Sequence, residues 1–430
     1  MPPIVARSLP LALVLLASSV QAQQVSPAPG LPTSEQQRAF ATCSAQLRGL
    51  AATSGVAGEA FDRFLAGITP DMSVLPLLDS QPEFSTPIWD YLAPLVDDAR
   101  IADGRALLIE HADTFARVAQ ASGVDAATVA AVWGVESDYG RVQGKRPLLV
   151  SLSTLSCFGR RQAFFRGELI ATLKLLQSGD LTTDGLTGSW AGAFGQTQFM
   201  PSTYARIAVD GDGDGRRDLV HSVPDALAST ANYLDRAGWQ PGQPWGYEVK
   251  LPAGFDALLA GRKAKRPLRE WVARGVTRID GGAIDPSDTP AAVLLPAGVA
   301  GPAFVVFRNF DAIYSYNAAE SYALAIALLA DRLRGGGPLV ARWPTDDPPL
   351  DRAARKELQT LLLARGHAIG TPDGLMGAVT RRAIAEEQQR LGLLPADGRA
   401  GQKILDALRA AGPPVALPPA AAPATPAPAP

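Results

Sequence analysis

An apolar helical stripe that ends on an acid constrains this 430-residue chain more than any other feature. Val129, Val132, Trp133 and Glu136 fall at positions i, i+3, i+4 and i+7, so they share one face of a predicted helix. Burial among apolar neighbours disfavours the charged carboxylate and raises its pKa. A glutamic acid that stays protonated near neutral pH can act as a general acid, which cleavage of a glycosidic bond requires. The alternative is a helix-terminal glutamate at the surface, and this segment alone does not separate the two.

A second informative segment, residues 188–203, reads GSWAGAFGQTQFMPST. Its glycines, spaced among Ser189, Gln196 and Gln198, predict a backbone that approaches a flat ligand closely. Amide and hydroxyl side chains together with aromatic rings suit an uncharged sugar, which needs hydrogen bonds at its edge and apolar contact on its face. A tight contact between helices would use the same small residues, so that interpretation stays open.

Charge and length limit the classes of function. The chain has 40 basic and 42 acidic residues, so no net field is available to capture nucleic acid or an anionic membrane. The substrate is expected to be neutral or mixed in charge. A chain of 430 residues is long enough for two or three domains.

Residues 1–22 have the layout of a cleavable secretory signal. Arg7 precedes an apolar run from Leu9 to Ala17, and the small-residue exit at residues 20–22 predicts cleavage before Gln23. A transmembrane helix needs about 20 apolar residues, and neither this run nor a later stretch reaches that length. No cysteine follows the exit, so a lipid anchor is not expected there, although an uncleaved anchor helix is an alternative. Residues 23–33 are rich in proline, glutamine and serine and predict a disordered lead.

The chain has only two cysteines, Cys43 and Cys157. Cysteines in an exported protein most often pair, so we expect a disulfide between them, with two buried thiols as the alternative. A Cys/His metal site is not expected, because the three histidines are scattered along the sequence at His111, His221 and His367.

Residues 34–334 predict a mainly α domain, of α+β type, with a small β excursion. The first predicted helix begins at a capping box at Ser34–Gln37, and the second runs from about Asp97 to Ser122. The next begins at a cap at Asp125 and carries Glu136, and another contains Phe165 and Leu176 and ends at Gly179. The last two run from Pro224 to Gly238 and from Asn317 to Leu333. The predicted strands are Gly246–Leu251, Ala292–Leu295 and Phe304–Phe307. Trp89 and Tyr91 are expected in the core, because aromatics at that spacing are more often core residues, with a place in the sugar cleft as the alternative.

A second, small helical domain is predicted at residues 350–411, after a Gly- and Pro-rich linker at residues 335–349. The turn Asp373-Gly-x-x-Gly377 recurs as Asp397-Gly-x-x-Gly401, which indicates an internal repeat. Each copy precedes a helical apolar pattern, Ala383 and Ile384 after the first and Ile404, Leu405 and Leu408 after the second. Residues 412–430 are mostly proline and alanine and predict a disordered tail.

The chain resembles the lytic murein transglycosylases of family B, which have a lysozyme-like helical fold. The resemblance extends from about Gln36 to Leu333. It is carried by four motifs in consistent order: Glu136-Ser-Asp-Tyr-Gly140, the segment from Ser189 to Ser202, Asn232-Tyr-Leu-Asp-Arg-Ala-Gly-Trp239, and Tyr316-Asn317 with Tyr322. Residues 358–408 resemble a peptidoglycan-binding domain of the helical repeat type, because they carry the matched Asp-Gly-x-x-Gly turns.

By this resemblance Glu136 is the sole catalytic acid and base. The other implied roles are support of the acid or the reacting sugar by Ser189, binding of acetamido groups by Gln198 and Asn317, and lining of the cleft by Tyr316 and Tyr322. Phe194 stands where methionine is common in the family, a departure that does not affect the chemistry.

The implied reaction fits the acids that the sequence offers. Ordinary glycosidases use two carboxylates, but the only acid beside Glu136 is Asp138, two positions along the helix and therefore pointing elsewhere. In the family's reaction Glu136 protonates the oxygen between N-acetylmuramic acid and N-acetylglucosamine, with the muramyl acetamido group assisting. The Glu136 carboxylate then deprotonates the sugar's own 6-hydroxyl, which closes a 1,6-anhydro ring without water. No cofactor is required for this chemistry.

An acidic loop follows, Asp210-Gly-Asp-Gly-Asp-Gly-Arg-Arg-Asp218. Acids at positions 1, 3, 5 and 9 with glycine at 6 match the first half of an EF-hand loop, but position 12 is His221 and not glutamate. Some family members bind calcium here, so a structural calcium site and a solvated acidic turn are both open. The candidate ligands are Asp210, Asp212, Asp214, Asp218 and Asp225.

Three functions remain open from the sequence. The first is a periplasmic, monomeric lytic transglycosylase that acts on peptidoglycan glycan strands in cell-wall turnover or remodelling. The second is a muramidase that uses water at the same site and leaves reducing ends. The third is a catalytically silent wall-binding protein, against which an intact Glu136 with Ser189 and Gln198 argues. Cell-wall synthesis proteins are candidate partners that the sequence does not identify.

Overall fold

The computed structural model describes residues 30–79 and 82–412. The predicted signal, residues 23–29 of the predicted lead and the predicted tail from residue 413 lie outside the described residues. The helices are α1 (Ser34–Thr53), α2 (Gly58–Leu65), α3 (Pro82–Ser85), α4 (Ile88–Leu92), α5 (Asp98–Glu110), α6 (Ala112–Ser122), α7 (Ala126–Ser137), α8 (Leu148–Cys157), α9 (Gln162–Ser178), α10 (Pro201–Ile207), α11 (Val223–Arg236), α12 (Leu268–Ala273), α13 (Arg308–Asn317), α14 (Glu320–Leu333), α15 (Arg352–Ala364), α16 (Ala378–Arg390) and α17 (Gln402–Ala410). The strands are β1 (Arg146–Pro147), β2 (Thr187–Gly188), β3 (Gly246–Lys250), β4 (Arg266–Pro267), β5 (Thr277–Arg278), β6 (Pro290–Leu294) and β7 (Ala303–Val306), and short 3-10 helices lie at Met72–Val74, Pro76–Asp79 and Ala257–Leu259.

Helix α7 is the centre of the larger hydrophobic core and carries Glu136 in its last turn. Asp125 caps it as predicted, because its carboxylate accepts a hydrogen bond from the Thr128 amide at 3.1 Å. The apolar residues of the predicted stripe are buried, but Ala130 and Ala131 on the other sides of the helix are fully buried too. The helix is therefore apolar all round, and the prediction of a single apolar stripe is too narrow.

A second helical core is built by α1, α2, α8, α9 and α10 around Leu152, Phe165 and Phe194. Cys43 of α1 and Cys157 of α8 are bonded to each other, with their sulfur atoms 2.05 Å apart. Tyr233 of α11 and Tyr316 of α13 pack against both this core and the core around α7. The two cores therefore meet at these tyrosines.

The β excursion is a five-stranded antiparallel sheet with the strand order β4-β6-β7-β3-β5. The three predicted strands are confirmed as β3, β6 and β7, with ends that differ by one or two residues. One face of the sheet covers a small core that includes Trp271 and Val305. A separate two-stranded pair, β1 with β2, anchors the glycine-rich segment that begins at residue 188.

The last three helices, α15 to α17, have a core of their own around Leu358, Ile384 and Leu405. The predicted repeat is confirmed in detail, because a buried glutamine holds each Asp-Gly turn. The side-chain oxygen of Gln359 accepts from the Gly374 amide at 2.7 Å, and that of Gln388 accepts from the Gly398 amide at 2.8 Å. These glutamines are part of the repeat, and the sequence analysis missed them.

Three predicted helix boundaries are wrong. The capping box lies one residue earlier, because the Thr33 hydroxyl accepts from the Gln36 amide and the Gln36 side chain accepts from the Thr33 amide. The helix predicted from Asp97 to Ser122 breaks at His111, where the chain bends so that both halves pack against α7. The helix predicted from Asn317 to Leu333 is preceded by α13, and the two are separated by Ala318 in the left-handed conformation.

No single helix among the described residues is both long and apolar enough to cross a membrane. Helices α6 and α7 pass that test only as a pair, and the chain bends by 110° between them. Helix α7 is buried within the core of the domain.

A close backbone approach fixes the start of the glycine-rich segment and can be tested. Gly144 has a φ of +94°, and a Cβ there would lie 2.1 Å from the carbonyl carbon of Gly188. We expect Gly144→Ala to lower the free energy of unfolding by about 3 kcal/mol or more, because backbone strain and a backbone clash add. The matched control is Gly185→Ala, with a φ of +63° and no atom within 4 Å of its Cβ, for which we expect about 1–2 kcal/mol. Equal losses in urea unfolding would contradict the tight approach.

Candidate active site

Glu136 lies in a largely enclosed position that is still partly accessible to solvent. Burial raises the pKa of Glu136 to about 8, and the negative charge of Glu83 adds to that rise. The hydroxyl of Tyr322, a buried residue of α14, donates a hydrogen bond to Glu136 Oε1 and partly offsets the rise in pKa. The carboxyl group therefore remains protonated through neutral pH, as a general acid must.

The turn after Glu136 holds the end of α7 in an uncommon conformation. Asp138 and Tyr139 have φ values of 51° and 57°, a left-handed conformation that costs about 1–3 kcal/mol per residue and persists only where the surroundings impose it. Here the Ser137 hydroxyl accepts from the Gly140 amide at 2.9 Å and donates to the carbonyl oxygen of Gln196. The end of α7 is thereby tied to the glycine-rich segment.

Trp133 makes a second tie between the same two segments. Its indole Nε1 donates to the Gln196 side-chain oxygen at 3.0 Å, and the side-chain Nε2 of Gln196 donates to the Val220 carbonyl at 3.3 Å. A Cβ on Gly140 would lie 2.7 Å from that glutamine oxygen. The sequence Glu136-Ser-Asp-Tyr-Gly140 thus contains the residues that fix where the acid points.

Asp138 is not a partner of Glu136, which agrees with the prediction from helical spacing. Its carboxylate lies 3.1 Å from Arg100 and 3.1 Å from Arg141. The charge that acts on Glu136 comes from Glu83 of α3, which the sequence analysis missed. The Asn317 amide nitrogen lies 3.5 Å from Glu83 Oε1, and the Ser321 hydroxyl donates to the Glu83 carbonyl at 2.7 Å.

Tyrosines surround the acid. The Tyr316 hydroxyl donates to the Thr197 carbonyl at 2.8 Å, and the Tyr316 ring stacks on Tyr322 with their centroids 6.2 Å apart. Burial raises the pKa of both tyrosines well above 10, so both stay neutral hydrogen-bond donors. Tyr316 and Tyr322 therefore come together with Glu136.

Tyr91 belongs to this site as well, although the sequence analysis placed it in the core. Burial raises its pKa, and the charges of Glu83 and Glu136 add to the effect. Trp89, two residues earlier on the short helix α4, instead packs against Trp343, with the ring centroids 6.5 Å apart. Residues two apart on a helix point to different sides, a signal that could have separated the two aromatics.

The glycine-rich segment supplies Ser189 and Gln198. The Ser189 hydroxyl accepts from the Ala193 amide at 3.1 Å. Both amide hydrogens of Gln198 are used within the protein, because its Nε2 donates to the carbonyls of Gln143 at 3.0 Å and Gly195 at 2.8 Å. The Gln198 side-chain oxygen is therefore the group left to accept a hydrogen bond from a ligand.

The glycines of this segment lie against other parts of the protein, and the predicted approach of their backbone to a ligand stays a prediction. A Cβ on Gly188 would lie 2.3 Å from the Ala193 oxygen, one on Gly192 would lie 2.4 Å from the Leu152 side chain, and one on Gly195 would lie 2.8 Å from the Leu219 oxygen. Internal packing requires their small size, in line with the alternative of a tight contact.

The acidic loop brings together three of its five candidate ligands. Carboxylate oxygens of Asp210, Asp212 and Asp214 lie within 4.8 Å of one another on the surface. Asp225 is instead buried and accepts hydrogen bonds from the amides of Gly211 at 2.7 Å and Asp218 at 2.6 Å.

The Asp218 carboxylate in turn accepts from the amides of Val220 and His221, both at 2.9 Å. The Asp210 carboxylate accepts from the amides of Gly213 and Gly215, which lowers its pKa. Asp218 and Asp225 therefore support the loop backbone, while the carboxylate oxygens of Asp210, Asp212 and Asp214 converge in the way that oxygen ligands of a hard cation do.

Comparison with known proteins matches two regions of the chain. The family model of the transglycosylase SLT domain matches residues 39–331, and a peptidoglycan binding domain model matches residues 351–408. The membrane-bound lytic murein transglycosylase B of Escherichia coli (strain K12) is 32% identical over 266 residues, which are 59% of this chain and 72% of that protein.

Solved structures agree with these matches. SltB3 from Pseudomonas aeruginosa, in complexes with NAG-anhNAM-pentapeptide and NAG-NAM-pentapeptide, is 48% and 49% identical with a TM-score of 0.82, over 86% of this chain and 99% of that one. The Escherichia coli lytic transglycosylase Slt35 in complex with calcium is 28% identical with a TM-score of 0.59, over 71% and 96%.

The chain belongs to the SLT transglycosylase family and carries a C-terminal peptidoglycan-binding domain. The predicted fold class, a mainly α lysozyme-like domain followed by a small helical domain, is confirmed. The predicted enzyme class, a lytic transglycosylase, is confirmed as well.

The coupling of Glu83 to Glu136 predicts a pH effect. Because a general acid must be protonated, we expect kcat/KM to fall on the alkaline side with an apparent pKa of about 8. Glu83→Gln removes a negative charge near Glu136 and thereby lowers the pKa of Glu136. The alkaline decrease in kcat/KM should therefore shift to lower pH. Asp138→Asn is the matched control, since Asp138 is paired with arginines and asparagine tolerates its left-handed backbone. If the alkaline decrease in kcat/KM occurred at the same pH in both variants, Glu83 would not act on the pKa of Glu136.

Proposed function

We propose that this enzyme cleaves the bond between N-acetylmuramic acid and N-acetylglucosamine in peptidoglycan without water, with Glu136 as its sole acid and base. One observation supports this most directly. Glu136 is enclosed, has a pKa that burial raises to about 8 and accepts a hydrogen bond from Tyr322, whereas the acid beside it in sequence, Asp138, forms ion pairs with Arg100 and Arg141. A second carboxylate is not needed when the nucleophile belongs to the substrate.

The reaction proceeds in two steps. Glu136 donates its proton to the bridging oxygen as the bond from that oxygen to muramyl C1 breaks, and the muramyl acetamido oxygen bonds to C1. The Glu136 carboxylate then removes the proton of the 6-hydroxyl, O6 bonds to C1, and the acetamido oxygen leaves. The acid is regenerated and the product has a 1,6-anhydro ring. Since the 6-hydroxyl is part of the same sugar, proximity contributes up to about 7–11 kcal/mol.

The surrounding side chains have supporting roles in this proposal. Tyr322 stabilises the carboxylate after the first proton transfer, because its hydroxyl already donates to Oε1. In the proposal the Gln198 side-chain oxygen and the exposed Asn317 side-chain amide bind acetamido groups, and Ser189 supports the acid or the reacting sugar. Tyr91 and Tyr316 provide aromatic surface for sugar rings.

The proposal places the enzyme in the periplasm, after removal of residues 1–22. Residues 34–334 form the catalytic domain, and residues 350–411, joined by the linker at residues 335–349, bind the cell wall. The activity would serve turnover or remodelling of the wall.

Mass spectrometry of digested cell walls tests the reaction. We expect products lighter by one water than those of hydrolysis, and we expect Glu136→Gln to reduce their formation by about 10²–10⁴-fold, because the amide has no proton to donate. Glu136→Gln should be at least as stable as the parent at pH 7, because the parent carboxyl group is mostly neutral in the folded protein and charged in the unfolded chain at that pH. Reducing-end products would favour a muramidase, and undiminished turnover by the variant would rule out Glu136 as the catalyst.

We also propose that Asp210, Asp212 and Asp214 bind a structural calcium ion, with Asp225 and Asp218 holding the loop. Three exposed carboxylates within 4.8 Å repel one another, and a cation relieves that repulsion. Glu136 lies on another segment, so the chemistry does not depend on the ion.

Calcium should therefore act on stability and not on turnover. We expect millimolar calcium to raise the melting temperature of the protein and to leave the initial rate on cell walls unchanged. Asp212→Asn with Asp214→Asn should abolish the rise in melting temperature, whereas the control Asp184→Asn, an exposed acid outside the loop, should retain it. No calcium-dependent rise in the parent protein would contradict the site.

A further inference from the structure

A cavity that is open to solvent on one side lies where the C-terminal helices meet the catalytic domain. This cavity has a volume of about 510 Å³, within the range of roughly 300–1,000 Å³ that small ligands occupy. Both domains line it, and six of the lining side chains are charged. They are Arg262, Lys263, Glu320, Arg381, Asp397 and Arg399.

Two of these six charges hold the domains in place. Asp397 accepts a hydrogen bond from the Val299 amide of the catalytic domain at 3.1 Å. Arg399 forms an ion pair with Asp347 of the linker. Neither side chain is free to bind a ligand.

The other four charges differ in their pairing, since the Arg262 guanidinium forms an ion pair with Asp311 at 2.9 Å, whereas Arg381 acts on Glu320 only at longer range. Within the described residues Arg381 has no hydrogen bond or ion pair from its side chain, and its Nε is buried without a partner. Lys263 is exposed and likewise has no acidic partner in the described chain. Glu320 lies 4.0 Å from the Nε of Arg262, a nitrogen that is also buried without a hydrogen bond. A buried nitrogen without a hydrogen-bond partner costs free energy, and the Nε atoms of Arg262 and Arg381 are such nitrogens, so the cavity favours a ligand that brings carboxylate acceptors.

A neutral sugar does not fit this lining. Sugars bind through hydroxyl and amide groups and stack on open aromatic faces, but the Tyr314 ring in this cavity is already covered by the Arg262 guanidinium at 3.6 Å. The occupant is therefore charged. A peptide with free carboxylates, such as the pentapeptide on the ligands bound to SltB3, has the required chemistry.

We propose that this interdomain cavity binds the stem peptide of peptidoglycan, with Arg381 and Lys263 holding its carboxylates and Glu320 accepting from its N–H groups. The proposal rests on the function proposed above. The same two helices carry residues of the cavity and of the catalytic site on different faces, because Tyr314 lies two residues before Tyr316 on α13, and Glu320 lies two residues before Tyr322 on α14. An extended pentapeptide spans up to roughly 17 Å, long enough to pass round a single helix.

Calorimetric titration of the full chain tests the cavity with two probes, NAG-anhNAM-pentapeptide and the same anhydro-disaccharide without peptide. We expect Arg381→Ala and, separately, Lys263→Ala to weaken binding of the pentapeptide probe about tenfold and to leave the peptide-free probe unchanged. Arg382→Ala is the matched control, since it removes the same charge from the same helix but does not line the cavity. Lys263→Ala alters an exposed side chain and guards against loss of folding.

Equal binding of the pentapeptide probe by the parent, Arg381→Ala and Lys263→Ala would overturn the proposal. Equal weakening of both probes would overturn it too, because it would mean that Arg381 only helps to hold the domains together. Neither probe is cleaved during the titration. Production of anhydro ends from peptide-free glycan strands, measured separately, shows whether the proposed reaction itself holds.

Discussion

The burial of one carboxyl group at the end of an all-apolar helix is the constraint on which the structure depends. Because α7 has no polar face, the Glu136 side chain is surrounded by protein. Its carboxyl group therefore stays neutral at a pH where the carboxyl group of an exposed glutamate is charged. Its pKa of about 8 lies above the ordinary value of 4.5, so the folded protein binds a proton that the unfolded chain releases between these values. Folding stability from this group is complete below about pH 4.5 and is lost as the pH rises through about 8. The proposed catalytic acid thus lowers the stability of the protein in the pH range where its proton is needed, as functional sites often do.

A buried carboxyl group of this kind needs rigid surroundings. The chain provides them through a strained backbone turn and short-range hydrogen bonds. Two non-glycine residues, Asp138 and Tyr139, adopt left-handed conformations directly after the acid. Ser137 and Trp133 connect this turn to Gln196, and the Tyr316 hydroxyl donates to the carbonyl of the next residue, Thr197. The acid from one helical core is thereby held against the glycine-rich segment of the other. A one-acid mechanism requires this arrangement, because the same carboxyl group must face two oxygen atoms in turn.

Sequence reasoning predicted the elements that depend on local pattern and missed those that depend on tertiary contact. The caps at Asp125 and Gly179, the three strands of the larger sheet and the Asp-Gly repeat are local features and were found. The break at His111 was missed because the bend serves packing against α7 and has no glycine or proline to mark it. Glu83 and Tyr91 reach the site from segments about 50 residues before Glu136, and no local motif announces them. The glycines of residues 188–203 were read as facing a ligand because their spacing is identical whether the close neighbour is a sugar or the protein's own backbone.

The linker determines what the C-terminal domain can do for the enzyme. A flexible tether would only raise the local concentration of cell wall near the catalytic site. This linker is bound along its course, since the Glu248 carboxylate accepts from the amides of Val340 at 2.9 Å and Ala341 at 2.8 Å, and Asp347 pairs with Arg399.

The two halves of the repeat have also diverged in use: Asp373 caps only its own turn and contacts Gln359, whereas Asp397 additionally accepts from Val299 of the catalytic domain. One copy of a duplicated turn thus became a docking contact. The domain is held in one orientation against the catalytic domain, so wall bound to it arrives at the cleft from a defined direction.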